Sequence, residues 1–194
     1  MRERAVVLSA ALLFLTGAKP AIAADMAAIE KKAAVCAACH GPQGNSTNPV
    51  MPSLAGQPKQ FITTQLIMFR EGNRKDPQMS PMAANLSNAE INDLGTYFSA
   101  QKPAAPTQQT GADKVAASRR LIEQHNCNAC HGAELKGQQH IPRLAGQQVA
   151  YLRTQLRGFR AGTRFDMDGQ MTSAAQGLSD KDIDILAEYL ASLR

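Results

Sequence analysis

The sequence is one unit written twice, and each copy carries the pentapeptide Cys-x-x-Cys-His. Cys36-Ala-Ala-Cys39-His40-Gly41 is echoed by Cys127-Asn-Ala-Cys130-His131-Gly132. The echo runs on: Pro52-Ser-Leu54-Ala-Gly56-Gln57 matches Pro142-Arg-Leu144-Ala-Gly146-Gln147. Gln65-Leu66, Phe69-Arg70, Gly72 and Arg74 match Gln155-Leu156, Phe159-Arg160, Gly162 and Arg164, and Leu86-Ser87, Ile91, Leu94 and Tyr97 match Leu178-Ser179, Ile183, Leu186 and Tyr189. Self-similarity with its order preserved restricts the chain to two like domains, each built around the same local solution. The Pro-, Gln- and Thr-rich stretch between them suits an extended linker. The expected division is 24–101, a linker at 102–112, and 113–194.

Apolar spacing within each copy is helical. Ile62, Leu66 and Phe69, like Leu152, Leu156 and Phe159, fall at i, i+4, i+7, and Ile91, Leu94 and Phe98, like Ile183, Leu186 and Leu190, at i, i+3, i+7. Ser87-x-x-Glu90 has the form of a capping box, and Ser179-x-x-Asp182 is a weaker relative. A further helix leads into each cysteine motif, roughly Ala27 to Val35 and Lys114 to Gln124. No run of alternating β-branched residues argues for strands, so the expected class is all-α.

Such domains are short of core. The chain has no Trp, three Tyr and six Phe, and domains this small are marginal without a staple or cofactor. Met-Arg-Glu-Arg, an apolar run from Ala5 to Ala18 and Ala21-Ile22-Ala23 read as a secretory signal cleaved near Ala23. The run is shorter than the roughly 20 residues a spanning helix needs, so the expected location is the periplasm. Removal of residues 1–23 takes Arg2, Arg4, Lys19 and Glu3 with it and lowers the formal net charge from +5 to +3. With no dense basic run interleaved with aromatics, nucleic acid is not an expected partner.

Four cysteines in an exported chain suggest disulfides by default, but disulfides do not explain why His-Gly follows both pairs. Zinc is disfavoured because 87 residues separate Cys39 from Cys127, against about 15–20 in ribbon sites. A thioredoxin-like motif wants a βαβ context. What remains is the attachment signature of c-type haem. Cys36 and Cys39, and Cys127 and Cys130, each supply two thioethers to one porphyrin, and His40 and His131 become proximal iron ligands. A ligating histidine usually donates its second ring N–H to an acceptor, for which the matched Pro52 and Pro142 carbonyls are candidates. For the sixth ligand, Met51 and Met68 read as core filler. Met79 and Met171 each lie seven residues before the matched Leu86 and Leu178, whereas Met82 aligns with Ala174 and Met167 has no Met counterpart. Met79 and Met171 are therefore the expected axial ligands, with Met167 a minor alternative. Histidine–methionine ligation closes both axial positions and favours electron transfer over oxygen or peroxide chemistry. Arg74 and Arg164 are candidates for holding the haem propionates or ordering the Met-bearing loop. His125 and His140 lack repeat partners, and ordinary surface or core roles are expected for both.

The double Cys-x-x-Cys-His motif, the two Pro-x-Leu-Ala-Gly-Gln stretches, and Met79 and Met171 ahead of Leu-Ser together resemble the dihaem cytochrome c4 family over essentially the whole chain beyond the leader. The resemblance implies two tandem class I cytochrome c domains with two covalently bound haem c groups facing a shared interface. It implies a periplasmic carrier rather than an enzyme, moving electrons from a quinol-oxidising complex to terminal oxidases or other reductases, and leaves room for peripheral membrane association. The competing classes are a dihaem peroxidase-like enzyme, in which one iron would lose its sixth ligand, and an electron-transfer subunit of a larger oxidase or dehydrogenase.

Overall fold

A computed structural model describes residues 26–194; the leader read at residues 1–23 lies outside them. The first copy comprises α1 (Met26–His40), α2 (Lys59–Arg70), α3 (Met79–Ala83) and α4 (Asn88–Ala100). The second comprises α5 (Ala112–Gln124), α6 (Cys127–His131), α7 (Val149–Arg160), α8 (Gln170–Ala175) and α9 (Asp180–Ser192). The only extended pairing among the described residues is an isolated bridge between Gln138 and Ile141. The fold is all-α.

In each copy three longer helices pack on one another, α4 against α1 and α2, and α9 against α5 and α7. The apolar faces account for this: Ile62, Phe69, Ile91, Leu94 and Phe98 are buried with Ile29 and Ala33, and Leu152, Phe159, Ile183, Leu186 and Leu190 with Ile122 and Val149. Burial of such side chains stabilises each by roughly 1.5–3 kcal/mol relative to exposure. Gly95 on α4 lets α2 come close, since a Cβ there would lie 2.7 Å from Thr63 Cγ2.

The helix entering the cysteine motif differs between copies. α1 runs unbroken through Cys36 and Cys39 to His40, whereas α5 stops at Gln124 and α6 restarts at Cys127. Asn126 sits between them in the left-handed conformation (φ 55°), which Asn tolerates better than most residues. After each histidine a glycine turns the chain, Gly41 at φ 77° and Gly132 at φ 79°, values that cost glycine little.

Both capping boxes are complete. Ser87 Oγ accepts from Glu90 N and Glu90 accepts from Ser87 N, and Ser179 pairs with Asp182 in the same way; the Asp version is therefore formed as fully as the Glu one. The Ser87 backbone and hydroxyl, with Lys32 behind them, bring the Glu90 carboxyl down to about 2. That contribution is present above the unfolded carboxylate value and fades as pH falls towards about 2. Ser87→Ala should cost about 1 kcal/mol, read as a thermal midpoint lowered by several degrees near neutral pH and by less as the pH approaches 2.

Candidate haem sites

Each Cys-x-x-Cys-His segment ends a helix and faces a loop that returns through proline. His40 Nδ1 lies 2.8 Å from the Pro52 carbonyl and His131 Nδ1 2.8 Å from that of Pro142. The acceptors are those the repeat suggested. Each ring is thereby oriented with Nε2 left to bind a metal. Burial lowers the pKa of both histidines, with the carbonyl bond opposing it, so both rings are held in the neutral, ligating form. Burial likewise raises the Cys36 and Cys127 thiols. No disulfide joins the four cysteines.

The return loop is pinned from two sides in each copy. Leu54 N donates to Gly44 O and Gly56 N to Phe98 O; Leu144 N donates to Leu135 O and Gly146 N to Leu190 O. From these fixed loops Gln57 and Gln147 reach across to the other copy. Gln57 accepts from Arg143 N and donates to Arg143 O, both at 2.9 Å, and Gln147 accepts from Ser53 N at 2.7 Å and donates to Ser53 O at 2.9 Å. The arrangement is reciprocal, as in an isologous dimer, with the two halves supplied by one chain. Gln148 Nε2 to Ser46 O and Tyr151 N to Pro49 O add to it.

Met79 and Met171 lie in the first turns of the two short helices and are half-buried, while Met82 is 50% and Met167 72% exposed. Met68 is buried, as its reading as filler requires, and Met51 is half-buried. An aspartate fixes each of these methionines, Asp76 accepting from Met79 N and Asp166 from Met171 N, both at 2.8 Å. Asp76 and Asp166 escaped the sequence reading although both stand two residues after the matched arginine, a signal that was present. Met79 lies three residues after Asp76 and Met171 five after Asp166, so the approach to the second methionine is longer by two residues inserted between Asp166 and Met171. Behind the same helices, Arg70 donates to Leu86 O and Arg160 to Leu178 O. His140 Nε2 is 4.0 Å from Asp168 Oδ2, and His125 closes α5; both have ordinary surroundings.

Arg74 and Arg164 converge at the boundary between the copies. Each guanidinium lies over a phenylalanine of its own copy, Arg74 4.5 Å from the Phe69 ring centre and Arg164 4.4 Å from that of Phe159. Arg74 donates to Gln65, to Tyr151 Oη at 3.3 Å and to Gln155 Oε1 at 3.1 Å, and Arg164 also donates to Gln155 Oε1. Tyr151 has no repeat partner, Phe61 occupying its place in the first copy, and no sequence signal singled it out. Burial alone would raise its phenol, but the Arg74 and Arg164 cations bring it below the ordinary value. Burial, with Arg74 adding repulsion, pushes Arg164 down to about 10.

Neither arginine forms an ion pair with a carboxylate among the described residues. Arg164 Nε is buried without a hydrogen-bond partner. Two half-buried cations that lie close together without an ion pair would be balanced by anions, and the acid side arms of a haem in each copy would supply them. The donor set, two thiols, an oriented neutral imidazole and a capped thioether per copy, fits the same group.

Comparison with known proteins agrees. The cytochrome c family model matches residues 115–194, and the model described as cytochrome c oxidase, cbb3-type, subunit III matches residues 22–98. Cytochrome c4 of Thiocapsa roseopersicina is 37% identical over 91% of this chain and 96% of its own. The chain belongs to the cytochrome c4 family. The structure of reduced recombinant cytochrome c4 from Pseudomonas stutzeri superposes with a TM-score of 0.81 at 33% identity, over 88% of this chain and 99% of that one. The thiosulfate dehydrogenase electron acceptor of Thiomonas intermedia is 35% identical over 87% of this chain and 83% of its own. As a cytochrome c4 this is an electron-transfer protein with two covalent haem c groups, one for each tandem cytochrome c domain.

Proposed function

We propose that this cytochrome c4 is an exported, periplasmic electron carrier, not an enzyme, that takes electrons from a quinol-oxidising complex and delivers them to terminal oxidases or other reductases. In this reading domain 24–101 holds its haem through Cys36 and Cys39 with His40 and Met79 as axial ligands. Domain 113–194 uses Cys127, Cys130, His131 and Met171. When bound, each haem supplies a one-electron iron couple. The protein holds both imidazoles neutral and oriented through Pro52 and Pro142, presents both thioethers on helices fixed by Asp76 and Asp166, and balances propionate charge with Arg74 and Arg164.

The observation that carries this reading is the equivalence of the two sites. A peroxidase-like enzyme needs one iron with an open position, yet both copies offer a half-buried methionine whose N–H donates to an aspartate in the same way. No helix among the described residues is long and apolar enough to cross a membrane. A second reading, acceptance of electrons from a thiosulfate-oxidising enzyme, is favoured by the similarity to the Thiomonas intermedia protein.

Stopped-flow oxidation and reduction against candidate respiratory partners and a thiosulfate dehydrogenase, at two salt concentrations and beside a peroxidase assay, tests both. Fast, salt-sensitive exchange with negligible peroxide turnover is expected; substantial turnover by the intact six-coordinate protein contradicts the carrier. Arg74→Gln and Arg164→Gln should each lower the potential of the haem in their own domain, since a nearby half-buried cation stabilises the reduced, less positive iron. Potentiometric titration with both potentials unchanged would assign the arginines to packing alone.

A further inference from the structure

The reciprocal glutamines touch more than the domain boundary. The Pro52 carbonyl that accepts from His40 and the Ser53 N–H that donates to Gln147 belong to one peptide group, at 2.8 and 2.7 Å respectively. The mirror arrangement holds in the other domain, where the Pro142 carbonyl faces His131 at 2.8 Å and the Arg143 N–H donates to Gln57 at 2.9 Å. Two short chains result: Gln147 to the Pro52–Ser53 peptide to His40, and Gln57 to the Pro142–Arg143 peptide to His131. Each starts in one domain and ends on the haem-binding histidine of the other.

A peptide group is a conjugated unit. Donation from its nitrogen pushes electron density onto its oxygen, and hydrogen bonds in series strengthen one another by roughly 10–30% each where water is excluded. Water is excluded here, Gln57 being 4% and Gln147 6% exposed. The amide orientation is also fixed, because each glutamine Nε2 donates to the carbonyl of the same residue whose N–H it accepts from. Only one assignment of amide oxygen and nitrogen satisfies both bonds.

We propose that Gln57 and Gln147 are positioning residues acting in trans across the domain boundary. Each polarises the peptide that carries the acceptor of the other domain's proximal histidine, so that the two haem potentials are set jointly by the closed interface. This rests on the reading of His40 and His131 as iron ligands. A better acceptor at Nδ1 makes the imidazole a stronger donor to iron, and that favours the oxidised metal. Loss of the glutamine oxygen therefore raises the potential of the opposite haem. A glutamine that merely glues the domains together has no reason to act on one haem alone, and still less on the one held by the other domain.

The test uses the full dihaem protein. Gln147→Met should raise the potential of the N-terminal haem, about a threefold change in its reduced-to-oxidised ratio at fixed potential, and leave the C-terminal haem in place. Gln57→Met should do the reverse. Potentials are read by potentiometric titration, and each haem is identified from its paramagnetically shifted NMR signals assigned with the Met79→Ala and Met171→Ala proteins. Gln147→Glu and Gln57→Glu keep and strengthen the acceptor while losing the Nε2 donor to the Ser53 or Arg143 carbonyl, so they should lower the opposite haem more than the haem of their own domain; they carry the comparison by themselves if the Met variants lose haem. Larger shifts in the variant's own domain, equal shifts in both haems, or no shift with both Met–iron bands retained would each overturn the proposal. A failure of the underlying ligand reading looks different: His40→Ala would then keep a six-coordinate N-terminal haem, whatever the glutamine variants do.

Discussion

Replacing Met79 by Ala should abolish the Met–iron absorption band of the N-terminal haem and lower its potential by about 0.1–0.3 V, out of the roughly 0.8 V that axial ligation spans. Met171→Ala should do the same to the C-terminal haem. The thioether stabilises reduced iron and blocks the sixth position, so its loss both costs potential and admits water or small ligands. Met82→Ala and Met167→Ala should leave both spectra nearly unchanged, because these side chains are largely exposed and it is the backbone N–H of Met79 and Met171 that Asp76 and Asp166 hold. Optical spectra and redox titration of the four variants decide the matter; a Met–iron band lost in Met82→Ala instead would show that the capped helix does not select the ligand.

The double variant Cys36→Ala/Cys39→Ala should cost the N-terminal domain its fold, about 5 kcal/mol or more and so the whole margin of a small domain. Its connected buried cluster is Ile29, Ala33, Ile62, Leu94, Tyr97 and Phe98, with Met68, Phe69 and Ile91 also buried, which is little to hold three helices once the covalent haem is gone. The C-terminal domain is better provided. Its cluster extends from Ile122 and Leu135 through Val149, Leu152 and Phe159 to Ile183, Leu186, Ala187 and Leu190. Ion pairs also tie α7 to α9, Arg153 to Asp184 and Glu188, and Arg160 to Asp180. Such exposed pairs add little singly and more as a network. Cys127→Ala/Cys130→Ala should therefore leave a partly helical C-terminal domain where the N-terminal variant leaves none, as measured by mass, helical circular dichroism and limited proteolysis. Equal tolerance in the two domains would contradict this account of the cores.

The repeat made much of this legible. Positions held in both copies, among them His40 and His131, Pro52 and Pro142, Arg74 and Arg164, and Ser87 and Ser179, turned out to make paired contacts, because the same local problem is solved twice with the same side chains. What escaped the sequence lies where the copies differ or meet. Asn126 breaks the second motif helix through a single left-handed residue, which periodicity does not register. Tyr151 acquires its role only because Arg74 of the other domain arrives beside it. Gln57 and Gln147 stood out as part of a repeated motif, yet their use across the boundary depends on how the domains pack, which no local pattern encodes. Asp76 and Asp166 were within reach, an aspartate at the same distance after each arginine, and needed only the question of what caps a helix that begins with a ligand.

The central requirement for a carrier is two like, six-coordinate haems in one chain. A potentiometric titration of the optical spectrum, with haem and protein quantified in the same sample, tests this most directly. Two haems per chain, two one-electron waves and a Met–iron band from each oxidised haem are the predicted result. A single haem per chain, or a high-spin component that binds peroxide in the native protein, would contradict it.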